Sequence, residues 1–120
     1  MPTIKISAPL ASVTFKRVQN NDNHKFNDKR YSDFKDALAT YALIAMKGRA
    51  PLAGAIKISI DVYQKFKPVS LNAGDIDNHA KAILDSLSNI AYVDDRQVTE
   101  LHISLFKGEP HINITLEELL

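Results

Sequence analysis

Hydrophobic and polar positions alternate in four stretches of the chain. In "TIKISA", residues 3–8, Ile4 and Ile6 stand between polar neighbours, a period of two that predicts a first strand. The clearest alternation is "AIKISIDVYQKF", residues 55–66. Ile56, Ile58, Ile60 and Val62 point one way, and Lys57, Ser59, Asp61 and Tyr63 the other, so one face is buried and the other wet. "TELHISLFKG" repeats the pattern through Leu101, Ile103 and Leu105, and "HINITLEEL" through Ile112, Ile114 and Leu116. Glu109 and Pro110 turn the chain between these last two strands.

Two segments change period from two to helical spacing. Ser32 is an N-cap type, followed by Asp33 and Asp36 where the helix dipole favours anions. Phe34, Leu38, Tyr41, Ala42 and Ala45 then share one face, and Gly48 follows Lys47 as a stop, so a helix is predicted from Ser32 to Lys47. Ahead of it, residues 13–18 have room for a short strand, and Gln19–Asn27, rich in Asn, reads as a loop. A second helix is predicted over residues 77–88, with Ala80, Ile83, Leu84 and Leu87 as its core stripe. The order strand, helix, strand, helix, strand, strand predicts an α+β fold: a small mixed sheet of about four strands with two helices packed on one face. Residues 1–120 read as a single domain.

Composition narrows the chemistry. The chain has no cysteine, so any metal sits on oxygen or imidazole ligands. No apolar run approaches the roughly 18 residues that span a bilayer, and Lys5 interrupts the only apolar stretch near the N-terminus, so a cytoplasmic protein with no membrane partner is expected. The net charge is +1, but residues 1–70 hold twelve bases against five acids and residues 71–120 hold three bases against nine acids. That asymmetry suggests a basic half facing a polyanion and an acidic half holding cations, unless both fold into one mixed surface.

The acids concentrate in "GDIDNHAKAILDSL", residues 74–87, and in the following "YVDDRQV". Helix capping accounts for one aspartate of the pair Asp75 and Asp77, but for neither of Asp94 and Asp95. A helix over 77–88 rises about 17 Å, and the chain from Asn89 to Asp95 extends back by at most about 20 Å. Asp95 is therefore within reach of Asp75 and Asp77. Two carboxylates about 4 Å apart repel by about 4 kcal/mol at an effective dielectric near 20, so a convergent cluster needs a cation. All-oxygen ligands select Mg²⁺, with Mn²⁺ as a substitute, and a water on such an ion can serve as nucleophile. Lys81 follows Asp77 by four residues: it either forms an ordinary ion pair along the helix or stabilises charge on a phosphate. An EF-hand is excluded, because His79, Ala80 and Ser86 stand where its loop needs a ligand, a glycine and a glutamate. The four histidines show no metal-ligand spacing; His79 falls off the acidic face and His102 outside its strand's core stripe.

Together, Asp-hydrophobic-Asp-Asn-x-x-Lys at residues 75–81, the Asp-x-Leu helix end at 85–87, and the aromatic, hydrophobic, Asp-Asp run at 92–95 resemble the signature of RusA-type Holliday junction resolvases, common on phages and prophages. The resemblance implies a Mg²⁺-dependent endonuclease that resolves four-way DNA junctions by paired symmetric nicks, acting as a homodimer with one site per subunit. Carried over, Asp75, Asp77 and Asp95 are the metal-binding and catalytic carboxylates, Lys81 is the catalytic base or charge stabiliser, and Asn78 and Asp94 support them. Lys16, Arg17, Lys25, Lys29 and Arg30 are candidates for phosphate contacts, and Phe26 or Tyr31 for a wedge at the junction centre, core packing being the alternative for both aromatics. The competing functions are a branched-DNA-binding protein of the same fold without cleavage, and a partner-binding module whose acids only cap a helix.

Overall fold

The computed structural model describes residues 3–14 and 24–119, with side chains from Lys29 onward in the second span. Strand β1 is Thr3–Ala8, helix α1 His24–Met46, strand β2 Ile56–Gln64, helix α2 Ile76–Leu87, strand β3 Val98–Lys107 and strand β4 His111–Glu118. Two 3₁₀ turns, Leu71–Ala73 and Asp95–Gln97, lead into α2 and β3. The strands form one sheet in the order β1-β4-β2-β3; β4 is antiparallel to both its neighbours, and β2 and β3 are parallel. The mixed sheet and two helices of the predicted α+β class are therefore present.

Register turns the sequence alternation into rows across the sheet. Ile4, Leu116, Ile58 and Leu101 form one; Ile6, Ile114, Ile60 and Ile103 the next; Ala8, Ile112, Val62 and Leu105 the third. These rows face the helices. Phe34, Leu38, Ala42 and Met46 of α1 and Ala82, Ile83 and Leu87 of α2 are buried in the same cluster. Each Ile or Leu removed from water contributes about 1.5–3 kcal/mol. Lys5, Thr115, Ser59 and His102 form a row on the opposite face, where His102 is exposed as its register position predicts. The rows thin toward β3, an edge strand whose Leu101 remains 39% exposed.

Three expectations change. Helix α1 starts at His24, eight residues before Ser32, so Ser32 is an exposed residue inside the helix and residues 24–27 are not loop. The apolar stripe explains this: half-buried Tyr31 continues it one turn upstream of Phe34, and no Gly or Pro occurs between His24 and Lys47. Residues 13 and 14 have no regular structure, and 15–18 lie outside the described residues, as do the remaining positions of the predicted loop. The two charge halves share one sheet, with β1 and β2 from the first half alternating with β4 and β3 from the second. Among the described residues no helix is long and apolar enough to cross a membrane.

For function the key unit is β2–α2–β3. A parallel pair needs a crossover, and α2 is that crossover. Asp75 therefore stands at the start of the crossover helix and Asp95 just before the returning strand.

Candidate active site

Gly74 sets the direction of the chain into α2. Its φ is +79°, and a Cβ there would lie 3.1 Å from His79 Nε2 and 3.4 Å from Thr14 Cγ2, so both conformation and space call for glycine. His79 is buried. Its Nε2–H donates to the carbonyl of Ala73 at 2.6 Å, leaving Nδ1 to accept from the Ser12 hydroxyl at 2.7 Å. The imidazole thus ties the first turn of α2 to the preceding 3₁₀ turn and to the segment after β1.

Asp75 occupies the N-cap position. Its carbonyl accepts from the N–H groups of Asn78 and His79, but its side chain makes no capping hydrogen bond. Capping therefore accounts for neither Asp75 nor Asp77, where the sequence assigned it one. Among the described residues neither carboxylate has a hydrogen-bond or ion-pair partner, and both are exposed. Asn78 is exposed beside them.

Asp77, Lys81 and Asp85 follow at intervals of four on one side of α2. With Asp95 they line a cleft of about 480 Å³ between α2 and β3, whose walls are Ile76, Ala80, Leu84, Leu101 and Ile103. Lys81 makes no ion pair within 4.0 Å of Asp77 or Asp85 among the described residues, so the ordinary helix pair does not form and its ammonium is free to meet an anion. Burial, and after it the charge and hydrogen bond of Asp85, raise the pKa of the Tyr31 hydroxyl. Tyr31 is half-buried against the core, so the packing alternative applies to it rather than the wedge. Phe26's side chain lies outside the described residues.

The other acidic pair stands on a braced turn. The Asp94 side chain accepts from the backbone N–H of Arg96 at 3.0 Å and pairs with its guanidinium at 3.2 Å. Gln97 closes a capping box: its Oε1 accepts from the N–H groups of Val93 and Asp94, both at 2.8 Å, while Nε2 donates to the carbonyls of Leu52 at 2.8 Å and Gly54 at 3.0 Å. The 52–54 loop is itself held by Glu118, whose carboxylate accepts from the Gly54 N–H at 2.8 Å.

The two carboxylates are unequal. The backbone N–H of Arg96, then a hydrogen bond with Asp95 and the Arg96 side chain, hold Asp94 below the ordinary carboxylate range. Its hydrogen bond to Asp94, partial desolvation, and the charges of Asp94 and Asp85 push Asp95 above it. The charges that act on Asp95 are those of Asp94, Asp85 and Arg96. It lines the same cleft as Asp77, Lys81 and Asp85. A tight turn follows the helix. Asn89 adopts φ +69° and donates its N–H to the Tyr92 carbonyl at 2.7 Å, while the buried Tyr92 donates its hydroxyl to the Leu84 carbonyl at 2.6 Å.

Among the described residues no group of three His, Asp or Glu side chains is arranged to hold a metal ion. In kind, though, the donors suit a hard dication: Asp75, Asp77 and Asp95 offer only carboxylate oxygens, and the first two have no competing protein partner. Of the candidate DNA contacts, Lys16 and Arg17 and the side chain of Lys25 lie outside the described residues. Lys29 is exposed and 4.0 Å from Asp33, and Arg30 is exposed at the rim of a second cavity. Residue patterns overlooked four contributors. Asp85 was marked by its spacing from Asp77 and Lys81. Gln97 follows its N-cap aspartate at the capping-box interval. The roles of Gly74 and His79 depend on Thr14, Ser12 and Ala73, contacts that no local pattern announces.

Comparison with known proteins gives the family. Over 46 residues the chain is 37% identical to an uncharacterised protein, YqaN, of Bacillus subtilis strain 168; the match covers 38% of this chain and 32% of that protein. The family model for endodeoxyribonuclease RusA matches residues 8–117, from the end of β1 through nearly all of β4. With the acidic cleft, Lys81 and strands β2, β3 and nearly all of β4 inside that match, the chain belongs to the RusA endodeoxyribonuclease family.

Proposed function

We propose that the protein is a divalent-metal-dependent endonuclease that nicks four-way DNA junctions at paired, symmetric positions. One observation carries the reading: Asp77, Lys81 and Asp95 share a single cleft, and among the described residues neither Lys81 nor the Asp75 carboxylate at the helix start has an ion-pair partner. Asp75, Asp77 and Asp95 are the residues that would hold Mg²⁺. When bound, such an ion supplies Lewis-acid polarisation of a phosphoryl oxygen and acidifies a water. The chain's own groups do the rest. The Lys81 ammonium neutralises charge that builds on the phosphate. Asp94 holds the Asp95 turn in place and, through their shared hydrogen bond, sets the pH at which Asp95 ionises. Asn78 supports the neighbouring carboxylates, and Arg30 and Lys29 contribute phosphate contacts that fix the register of the DNA.

Two symmetric nicks require two sites, and we propose a homodimer, which matches the approximate two-fold symmetry of a four-way junction. The test is a gel assay of branched and linear DNA with Mg²⁺, Mn²⁺ and EDTA, alongside sedimentation of the free protein. Paired nicks in the junction alone, lost with EDTA, are the expected result. Junction binding without metal-dependent nicking would identify a binding protein of the same fold instead, and no preference for branched DNA at moderate salt would leave the acids without a DNA role.

A further inference from the structure

A second cavity, of about 570 Å³, opens on the α1 side of Gly74, one residue from Asp75. Its size suits a nucleoside. Among its lining residues are Arg30, Gln64, Lys65, Phe66, Gly74 and His79. Gln64 is the unusual one. It ends the core face of β2 and is only 7% exposed, yet among the described residues its Nε2 has no hydrogen-bond partner. A buried amide left unpaired is destabilising, and proteins retain such groups where something else pairs with them. The surroundings indicate what that partner is. Arg30 and Lys65 offer two cations at the cavity wall, Phe66 offers an aromatic ring, and the amide carries both a donor and an acceptor. Anion, flat ring and an edge with mixed donors and acceptors together describe a nucleotide. Nothing in the proposed chemistry at Asp75, Asp77, Lys81 and Asp95 uses this cavity.

We propose that the cavity receives one nucleobase of the strand being cut, unstacked at the branch point and adjacent to the scissile phosphate, with its hydrogen-bonding edge on the Gln64 amide and its flanking phosphate near Arg30 and Lys65. This rests on the nuclease reading and deepens it, because it assigns the choice of cleavage sequence to Gln64. Unstacking costs least where the duplex is already interrupted, so a branched substrate favours such a base over a linear one. The His79 link from Ser12 to Ala73 holds the cavity wall and the start of α2 as one unit, so filling the cavity also aligns the strand against Asp75.

The test has two arms. In the first, junctions carrying 2-aminopurine at successive positions near the branch point are bound to the Asp75→Asn protein, which retains its cavity. Fluorescence is expected to rise at one position, and a rise at none would overturn the proposal. In the second, that nucleotide is varied through all four bases and nicking rates are compared. The intact chain is expected to prefer one base by about 5- to 150-fold, the range of a two-hydrogen-bond contact. Gln64→Leu should reduce the ratio to about twofold or less, and Gln64→Glu, of nearly the same shape, should change which base is favoured. Ratios equal to those of the intact chain in both variants would overturn it, while nicking itself would stand. If the intact chain does not nick junctions at all, the nuclease reading falls, and the subsite with it.

Discussion

Gln97 offers the sharpest test of how the fold presents its acids. Gln97→Leu keeps the bulk of the side chain and removes all four of its hydrogen bonds, to Val93 and Asp94 on one side and to Leu52 and Gly54 on the other. Each such bond contributes about 0.5–1.5 kcal/mol net. The groups involved are partly exposed, so water takes over some of the pairing, and the expected loss is about 2–4 kcal/mol. With a urea dependence of about 1–3 kcal/mol per molar, the unfolding midpoint falls by about 1–2 M, read by circular dichroism with the slope unchanged. Nicking should also fall at temperatures where the variant is fully folded, because Asp95 lies on the turn that Gln97 braces. Gln97→Glu separates the two halves of the brace: it keeps acceptors for the two N–H groups but sets a carboxylate against two carbonyls, so it should not recover the loss. A Gln97→Leu midpoint within about 0.3 M of the original would refute the reasoning, as would normal nicking by a folded but destabilised variant.

Other expectations concern charge and backbone. Asp75→Asn and Asp95→Asn should each abolish metal-dependent nicking while junction binding by gel shift persists; nicking at the original rate would remove that residue from the chemistry. Because Asp95 is held above the ordinary carboxylate range by Asp94 and must be ionised to hold a cation, nicking should decline on acidification sooner than for an isolated carboxylate. Asp94→Asn should move that acid limb to lower pH, measured as single-turnover rate against pH, and an unmoved or raised limb would contradict the coupling. The stability linkage has opposite signs at the two residues: the contribution of Asp94 is complete above its unfolded pKa and lost as pH falls through its depressed value, whereas that of Asp95 is lost as pH rises through its raised value. Gly74→Ala should cost about 1–3 kcal/mol, from a left-handed φ and a Cβ 3.1 Å from His79 Nε2, and a neutral thermal melt would show that the loop relaxes freely.

The strands were readable because each buries one face, and alternation survives any detail of packing. β3, β4 and α2 fall within one residue of their predicted limits, and β2 ends two residues before its own. The start of α1 was not readable, because Ser32 carries a local cap signal that the tertiary stripe through Tyr31 and Phe34 overrides. The same contrast holds at the site. The acids stand out as residue types at a spacing, and Asp77, Lys81 and Asp95 do share a cleft. How the chain turns back after α2 depends on the left-handed Asn89 and on a tyrosine hydroxyl reaching Leu84, and chain length alone does not reveal that turn.

These contacts also divide the motif into two independently supported ends. Asp95 is held through Gln97, the 52–54 loop and Glu118, which fastens it to β4 in the interior of the sheet. Asp75 and Asp77 are held through Gly74, His79 and Ser12, which fasten them to the segment leaving β1. Between the two anchors runs α2, with Lys81 near its middle and, among the described residues, no ion pair binding it to either side. A cation bridging Asp95 to the helix-start carboxylates would therefore link two anchors that the protein alone does not connect through these side chains. Metal should then add to stability as well as to rate, and the lysine between the ends is left exposed to the cleft where a phosphate would complete the charge balance.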